Sequence, residues 1–311
     1  MLVSVVICSH NREEYLSQAI DSVLAQKGDF SLEIIIGEDC STDGSRALLA
    51  EYDKKYPGIF VMNYHQTNQG LGRNWASSVL LARGEYVAFC DDDDYWCDEW
   101  RLSEIVSCLE ADRSFGFAYS AYYQLVEPSG KMILCGEEMP KDKNQVDVVN
   151  SHMGMFFGTC VIRRSLISEH ICLQDYIDLN FSIQDWPTIM LLAPHTKFKW
   201  ISTPSVVYRV YDGSMSRPKT YESVLEKYAR EKEVVKYVEA RKPEGVAFNE
   251  RYWDSYVNHL LLAVAYKKND FKSAKEFSSK VIKKGKMEIF AKTWLSFELF
   301  RILKAVKAKR N

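Results

Sequence analysis

The chain has 311 residues, 47% of them hydrophobic and 26% charged, with a formal net charge of −2. This composition buries a sizeable core without staples and excludes disorder, collagen-like repeats and a disulfide-dense scaffold. Near-neutrality excludes a surface that binds polyanions as a whole, yet residues Lys267 to Asn311 hold 14 Lys and Arg against four Asp and Glu, so a basic tail follows an acidic body and either meets an anionic partner or is a solvated Lys-rich helix.

The first elements alternate. Val3–Cys8 (VSVVIC) reads as a buried strand; no basic region precedes it, so it is not a targeting segment. Glu13–Gln26 has apolar residues at Tyr15, Leu16, Ala19, Ile20, Val23 and Leu24, a helical spacing. Glu33–Gly37 is a second strand, and the turn at Cys40–Ser45 supplies capping residue types before a helix over Arg46–Lys54. Ile59–Tyr64 is a third strand, Arg73–Ala82 a helix and Glu85–Cys90 a fourth strand. This order predicts an α/β fold with a mostly parallel, Rossmann-like sheet flanked by helices. Ligands in such sheets bind beyond the carboxyl ends of the strands.

The loops there exclude several chemistries. The first has no GxGxxG, and the chain has neither a GxxxxGK[ST] loop nor a GxSxG elbow. The eight cysteines form no CxxC pair and no His stands at zinc-finger spacing, so the thiols are expected reduced and packed as small hydrophobes in a cytoplasmic protein. Four consecutive aspartates, Asp91–Asp94, follow the fourth strand. Like charges this close raise one another's pKa unless a cation joins them. Hard carboxylate oxygens favour Mg²⁺ or Mn²⁺, which bridge to a diphosphate.

The segments VSVVICSHNREEYLSQAIDSVLAQ, EIIIGEDCSTDGS, NQGLGRN and GEYVAFCDDDDYW, with Gln184-Asp185-Trp186 and Tyr208-Arg209-Val210 further on, together resemble the family 2 glycosyltransferases with a GT-A type fold. The likeness is close over roughly residues 1–110. It implies a metal-dependent, inverting transfer of a sugar from a nucleotide-diphosphate donor, UDP-linked, to a glycan hydroxyl during surface polysaccharide synthesis. By the resemblance, Ser9 and His10 lie against the nucleoside and Asp39 accepts from the uracil imide. Asn68 and Arg73 belong to the third-loop motif near the base or diphosphate. Asp91 and Asp92 face the ribose, Asp93 is the metal ligand, and Asp94 braces the loop or caps the next helix.

Asp185 is the implied base for the acceptor hydroxyl, with Trp186 offering an apolar face to a sugar ring. Asp185 is also well placed to cap a helix before Pro187. Many relatives carry a metal-binding His where this chain has Tyr211, a poor Mg²⁺ ligand, so the ion falls mainly to Asp93 and the diphosphate. Ser214 and Ser216 are assigned either to a closing loop or to an ordinary turn, and His152 and Thr159 rank as weak acceptor-side candidates.

The resemblance divides the chain into a GT-A domain over 1–217, with a nucleotide-binding half at 1–110 and an acceptor half at 111–217, and a basic helical region over 218–311. In that region Thr220–Glu239 reads as a helix, and Asn249–Lys268 with Lys272–Lys284 as a helical hairpin turning at Lys267–Asp270. Glu288–Lys309 predicts a final helix with two apolar faces, the second of which either packs on a second subunit or lies in the inner face of the plasma membrane as a peripheral contact. Two rival functions remain open: a sugar nucleotidyltransferase, for which the SHNRE loop lacks phosphate-gripping glycines, and a non-catalytic sugar-nucleotide-binding scaffold.

Overall fold

A computed structural model describes residues 1–127, 129–136, 138, 155–211, 220–241 and 250–281. Four parallel strands form its first half: β1 (Leu2–Ser9), β2 (Ser31–Glu38), β3 (Phe60–Tyr64) and β4 (Tyr86–Phe89), in spatial order β3-β2-β1-β4. Between them run the helices α1 (Glu13–Leu24), α2 (Ser45–Lys55) and α3 (Leu71–Val79). The predicted alternation is therefore present, with strand and helix ends within a few residues of expectation. Both faces of this sheet are covered, so its strands are apolar runs with no alternation. Val3, Val5, Ile7, Ile34, Ile35 and Ile36 are all fully buried, and α1 packs Leu16, Ala19, Ile20 and Val23 into the same core.

A polar tie fixes the far edge of these strands. Buried Glu33 accepts from Ser4 Oγ at 2.5 Å, from Arg83 N at 2.7 Å and from Arg83 Nε at 2.9 Å, while Gly84 N donates to Ser4 Oγ at 2.8 Å. Burial alone would raise the Glu33 pKa, but the Ser4 and Arg83 donors outweigh it and hold the carboxyl below its ordinary value.

Beyond β4 the sheet changes direction. β5 (Tyr95–Trp96), α4 (Arg101–Ala111), β6 (Phe115–Val126) and β7 (Lys131–Cys135) follow, then β8 (Val161–Arg163). Three short helices come next, α5 (Arg164–His170), α6 (Leu173–Asp178) and α7 (Asp185–Leu192), and β9 (Lys197–Val210) closes the sheet. The order continues β4-β8-β6-β9-β5, with β7 paired to β6. β8 is antiparallel to both β4 and β6, whereas β6 and β9 are parallel. All eight cysteines are free.

The chain divides into two compact units, residues 1–212 with 230–246, and residues 213–229 with 247–311. α8 (Tyr221–Arg241) runs through both. In the first unit, Tyr237 donates to Asp175 at 2.6 Å and sets its ring against Phe181 at 4.9 Å. In the second, α9 (Glu250–Lys268) and α10 (Phe271–Lys280) make the expected hairpin. Asn269 takes the left-handed conformation at φ 55°, and Asp270 caps α10 by accepting from Ser273 N at 3.0 Å. The basic final helix expected over 288–309 lies outside the described residues. Among those described, no helix is long and apolar enough to cross a membrane.

Candidate active site

The loops after β1, β2, β3 and β4 meet at one residue, His10. Its Nδ1 lies 2.8 Å from the Asp39 carbonyl oxygen and its Nε2 lies 3.1 Å from Asn68 Nδ2. A carbonyl only accepts and an amide nitrogen only donates, so these partners place the proton on Nδ1 and leave Nε2 the acceptor. The backbone amide of His10 donates to Asp92 Oδ2 at 3.1 Å. Asn11 turns the chain there at φ 54°, and its Oδ1 accepts from Thr42 N at 2.8 Å. His10, Asp39, Asn68 and Asp92 are thus brought together, with buried Ser9 just before them at the end of β1.

Within this group the side chains do specific work. Asp39 is buried, and its two oxygens accept from Gln69 N at 2.6 Å and Gly70 N at 2.9 Å. It therefore fastens the β3–α3 loop to the end of β2, with lone pairs left over for a ligand. Gly70, at φ 82°, supplies the conformation that lets both amides turn towards that carboxylate. Arg73 points elsewhere: its Nε donates to the Ile177 carbonyl at 2.7 Å and ties α3 to α6. Gly72 lets the same helix approach the chain closely, since a Cβ there would stand 2.0 Å from the Phe181 carbonyl oxygen.

The aspartate run divides by function. Asp94 is buried and accepts from Arg209 N at 2.7 Å, so it braces the loop against β9. Asp93 Oδ2 accepts from the Tyr211 hydroxyl at 2.6 Å and stands 3.5 Å from Arg12 Nε, which also lies 3.7 Å from Asp92 Oδ1. Arg209 donates to the Asp93 carbonyl at 2.5 Å and pairs with Glu127 at 3.2 Å, its guanidinium sandwiched between Tyr15 and Tyr95. Arg12 and Arg209 carry no assigned role in the sequence reading, although each stands inside a quoted motif, and Tyr211 enters that reading only as a replacement for a metal-binding His.

Burial and the neighbouring charges of Asp93 and Asp185 push Asp91 up to about 7. Burial and Asp93 push Asp92 up to about 8 against the opposing pull of Arg12, the Ser9 hydroxyl and the His10 amide. The cluster thus has more negative charge than its own cation offsets, and its oxygens suit a divalent ion such as Mg²⁺ or Mn²⁺. Among the described residues no group of three or more His, Cys, Asp or Glu side chains is placed to hold a metal ion by itself.

Asp185 is the first residue of α7, half-buried, with Pro187 in the first turn. Its charge acts on Asp91, on Cys160 and on Tyr176. The chain thus brings residue 185 to the aspartate run. Trp186 is 3% exposed and belongs to the core, so it shows little ring face to a ligand. Thr159 is buried and hydrogen-bonds Phe156 O at 2.6 Å. His152, Ser214 and Ser216 lie outside the described residues.

A mostly parallel sheet flanked by helices, with carboxylates at the ends of β2 and β4, is a fold of the GT-A type. The model of the Glycosyl transferase family 2 matches residues 4–171, and the chain belongs to that family. It is 35% identical over 142 residues to the putative teichuronic acid biosynthesis glycosyltransferase TuaG of Bacillus subtilis, covering 45% of this chain and 56% of that one. For an uncharacterized Mycobacterium bovis relative the matched share of its length is 31%. Among solved structures, S. aureus TarS 1-349 in complex with UDP-GlcNAc superposes with a TM-score of 0.56 at 17% identity, covering 96% of this chain and 80% of that one. The mannosyltransferase PcManGT from Pyrobaculum calidifontis, in complex with GDP-Man and Mn²⁺, gives 0.53 at 17% identity over 98% of this chain and 86% of its own.

Proposed function

We propose that the protein is an inverting, metal-dependent glycosyltransferase that moves a sugar from a UDP-linked donor to a hydroxyl of a growing surface glycan. The observation that carries this reading is the convergence of the loops after β1, β2, β3 and β4 on His10, with the aspartate run among them. In this reading the aspartate run and Asp185 take different tasks. The relative named for teichuronic acid biosynthesis supports the acceptor class, and the TarS complex with UDP-GlcNAc supports the donor class.

The acceptor oxygen attacks C1 of the donor sugar from the side opposite the diphosphate. The bond from C1 to the diphosphate oxygen breaks, and its electron pair leaves with the nucleotide. Asp185 takes the hydroxyl proton as the new bond forms, a role that contributes on the order of 10²–10⁴ in rate. Asp93 would hold a Mg²⁺ or Mn²⁺ ion, which would supply positive charge against the negative charge gathering on the departing diphosphate. His10, Asp39 and Asn68 hold the nucleoside end, and Asp91 and Asp92 face the ribose. Peripheral contact of residues 288–309 with the cytoplasmic membrane face belongs to the same proposal.

The test is a donor panel with Mn²⁺, scored by release of free nucleotide diphosphate. Asp93→Ala and Asp185→Ala should each abolish transfer, and only Asp93→Ala should weaken metal-dependent UDP binding. Full turnover by Asp185→Ala would remove the base from the mechanism. Pyrophosphate formation from UTP and a sugar 1-phosphate would favour nucleotidyl transfer instead.

A further inference from the structure

The end of β9 grips Asp93 at two points. Arg209 donates to its carbonyl at 2.5 Å, and two residues later the Tyr211 hydroxyl donates to Oδ2 at 2.6 Å. Arg12 stands 3.5 Å from that same Oδ2. The Tyr211 ring is itself seated against Tyr15, with ring centroids 5.6 Å apart, and the Tyr15 hydroxyl is 3.3 Å from Glu127, the partner of Arg209. One oxygen of Asp93 is therefore engaged by the protein, and the other, Oδ1, is the one left to face a ligand.

We infer that Tyr211 is a positioning residue: its hydroxyl fixes the rotation of the Asp93 carboxylate so that Oδ1 alone meets the divalent ion. The inference rests on the metal-dependent reading above. Tyr211 touches neither ion nor sugar in this arrangement and acts through Asp93. A carboxylate deprived of the hydrogen bond that orients it swings between rotamers, and loss of such an outer partner typically lowers metal affinity about 10- to 100-fold. The phenol differs here from a direct ligand. Its oxygen is committed as a donor to a carboxylate, so it holds the ligand and not the metal.

The experiment is titration of the full chain with Mn²⁺ in the presence of saturating UDP, read by the loss of the free-ion electron paramagnetic resonance signal. Tyr211→Phe should weaken Mn²⁺ binding about tenfold or more, while UDP binding without metal and the melting temperature stay as in the wild type. Tyr211→Phe with wild-type Mn²⁺ affinity overturns the inference and leaves the glycosyltransferase reading intact. Wild-type protein that takes up no Mn²⁺ with UDP overturns both. If the Phe variant fails to fold, Tyr211→Trp, whose indole N–H is a donor that cannot bind a metal, should stay within about threefold of the wild-type affinity; a tenfold loss in that variant overturns the inference as well.

Discussion

Gly72 shows how one missing methyl group sets the distance between α3 and the chain that leads into α7. The Phe181 carbonyl presses against α3 at this position, four residues before the candidate base, and a Cβ would meet a backbone atom that cannot rotate away. Gly72→Ala should therefore push the 181–185 segment outward, costing about 1–3 kcal/mol in a urea denaturation series and lowering turnover more than UDP affinity. Unchanged turnover would show that α3 and Asp185 move independently. The aspartate run was legible in the sequence because its residues are adjacent and follow an apolar strand. The partners that divide its labour were not: Tyr211 lies 118 positions from Asp93 and Arg12 precedes it by about two-thirds of that span. Only the pairing of β9 with β6 and β5 brings residues 209–211 to that loop. Asp39 is a milder case. Its place at a strand end was readable, but its grip on the Gln69 and Gly70 amides depends on the path of another loop.

At the scale of elements, the Glu33 tie joins β2, β1 and the turn before β4 at the edge opposite the site. Its folded pKa lies below the ordinary 4.5, so the native state binds this proton less readily than the unfolded chain does. The stabilisation is fully present above pH 4.5 and fades as pH falls through the lower, folded value. Glu33→Gln should lower stability at pH 7 by about 1–3 kcal/mol, and the gap to wild type should narrow in acid when both are unfolded by urea. A gap that stays constant from pH 7 to pH 3 would show that the charge contributes nothing. The first four strands and three helices were readable because long apolar runs and 3.6-residue periodicity are local signals. β8 and β5, of three and two residues, are too short to carry a period, so the reversal of the sheet at β8 was invisible before the pairing was known.

For the molecule as a whole, α8 matters because its second half belongs with the sheet-bearing unit. A division at residue 217 would separate Tyr237 from Asp175 and Phe181, its partners beside the site. Tyr237→Ala should cost about 3–5 kcal/mol by calorimetry of the full chain and reduce the stabilisation gained on adding UDP with Mn²⁺; an unchanged UDP response would confine the helix to a purely structural part. The helical hairpin was legible from its turn and its apolar spacing, whereas the crossing of α8 between two units leaves no mark on composition. The reversed β8 has one more effect. Because it runs against β4, its beginning and not its end lies beside the aspartates. Residues 155–160, which lead into that strand, therefore reach it from the same end of the sheet as Asp91–Asp94, on a stretch of chain separate from the loops after β1, β2 and β3.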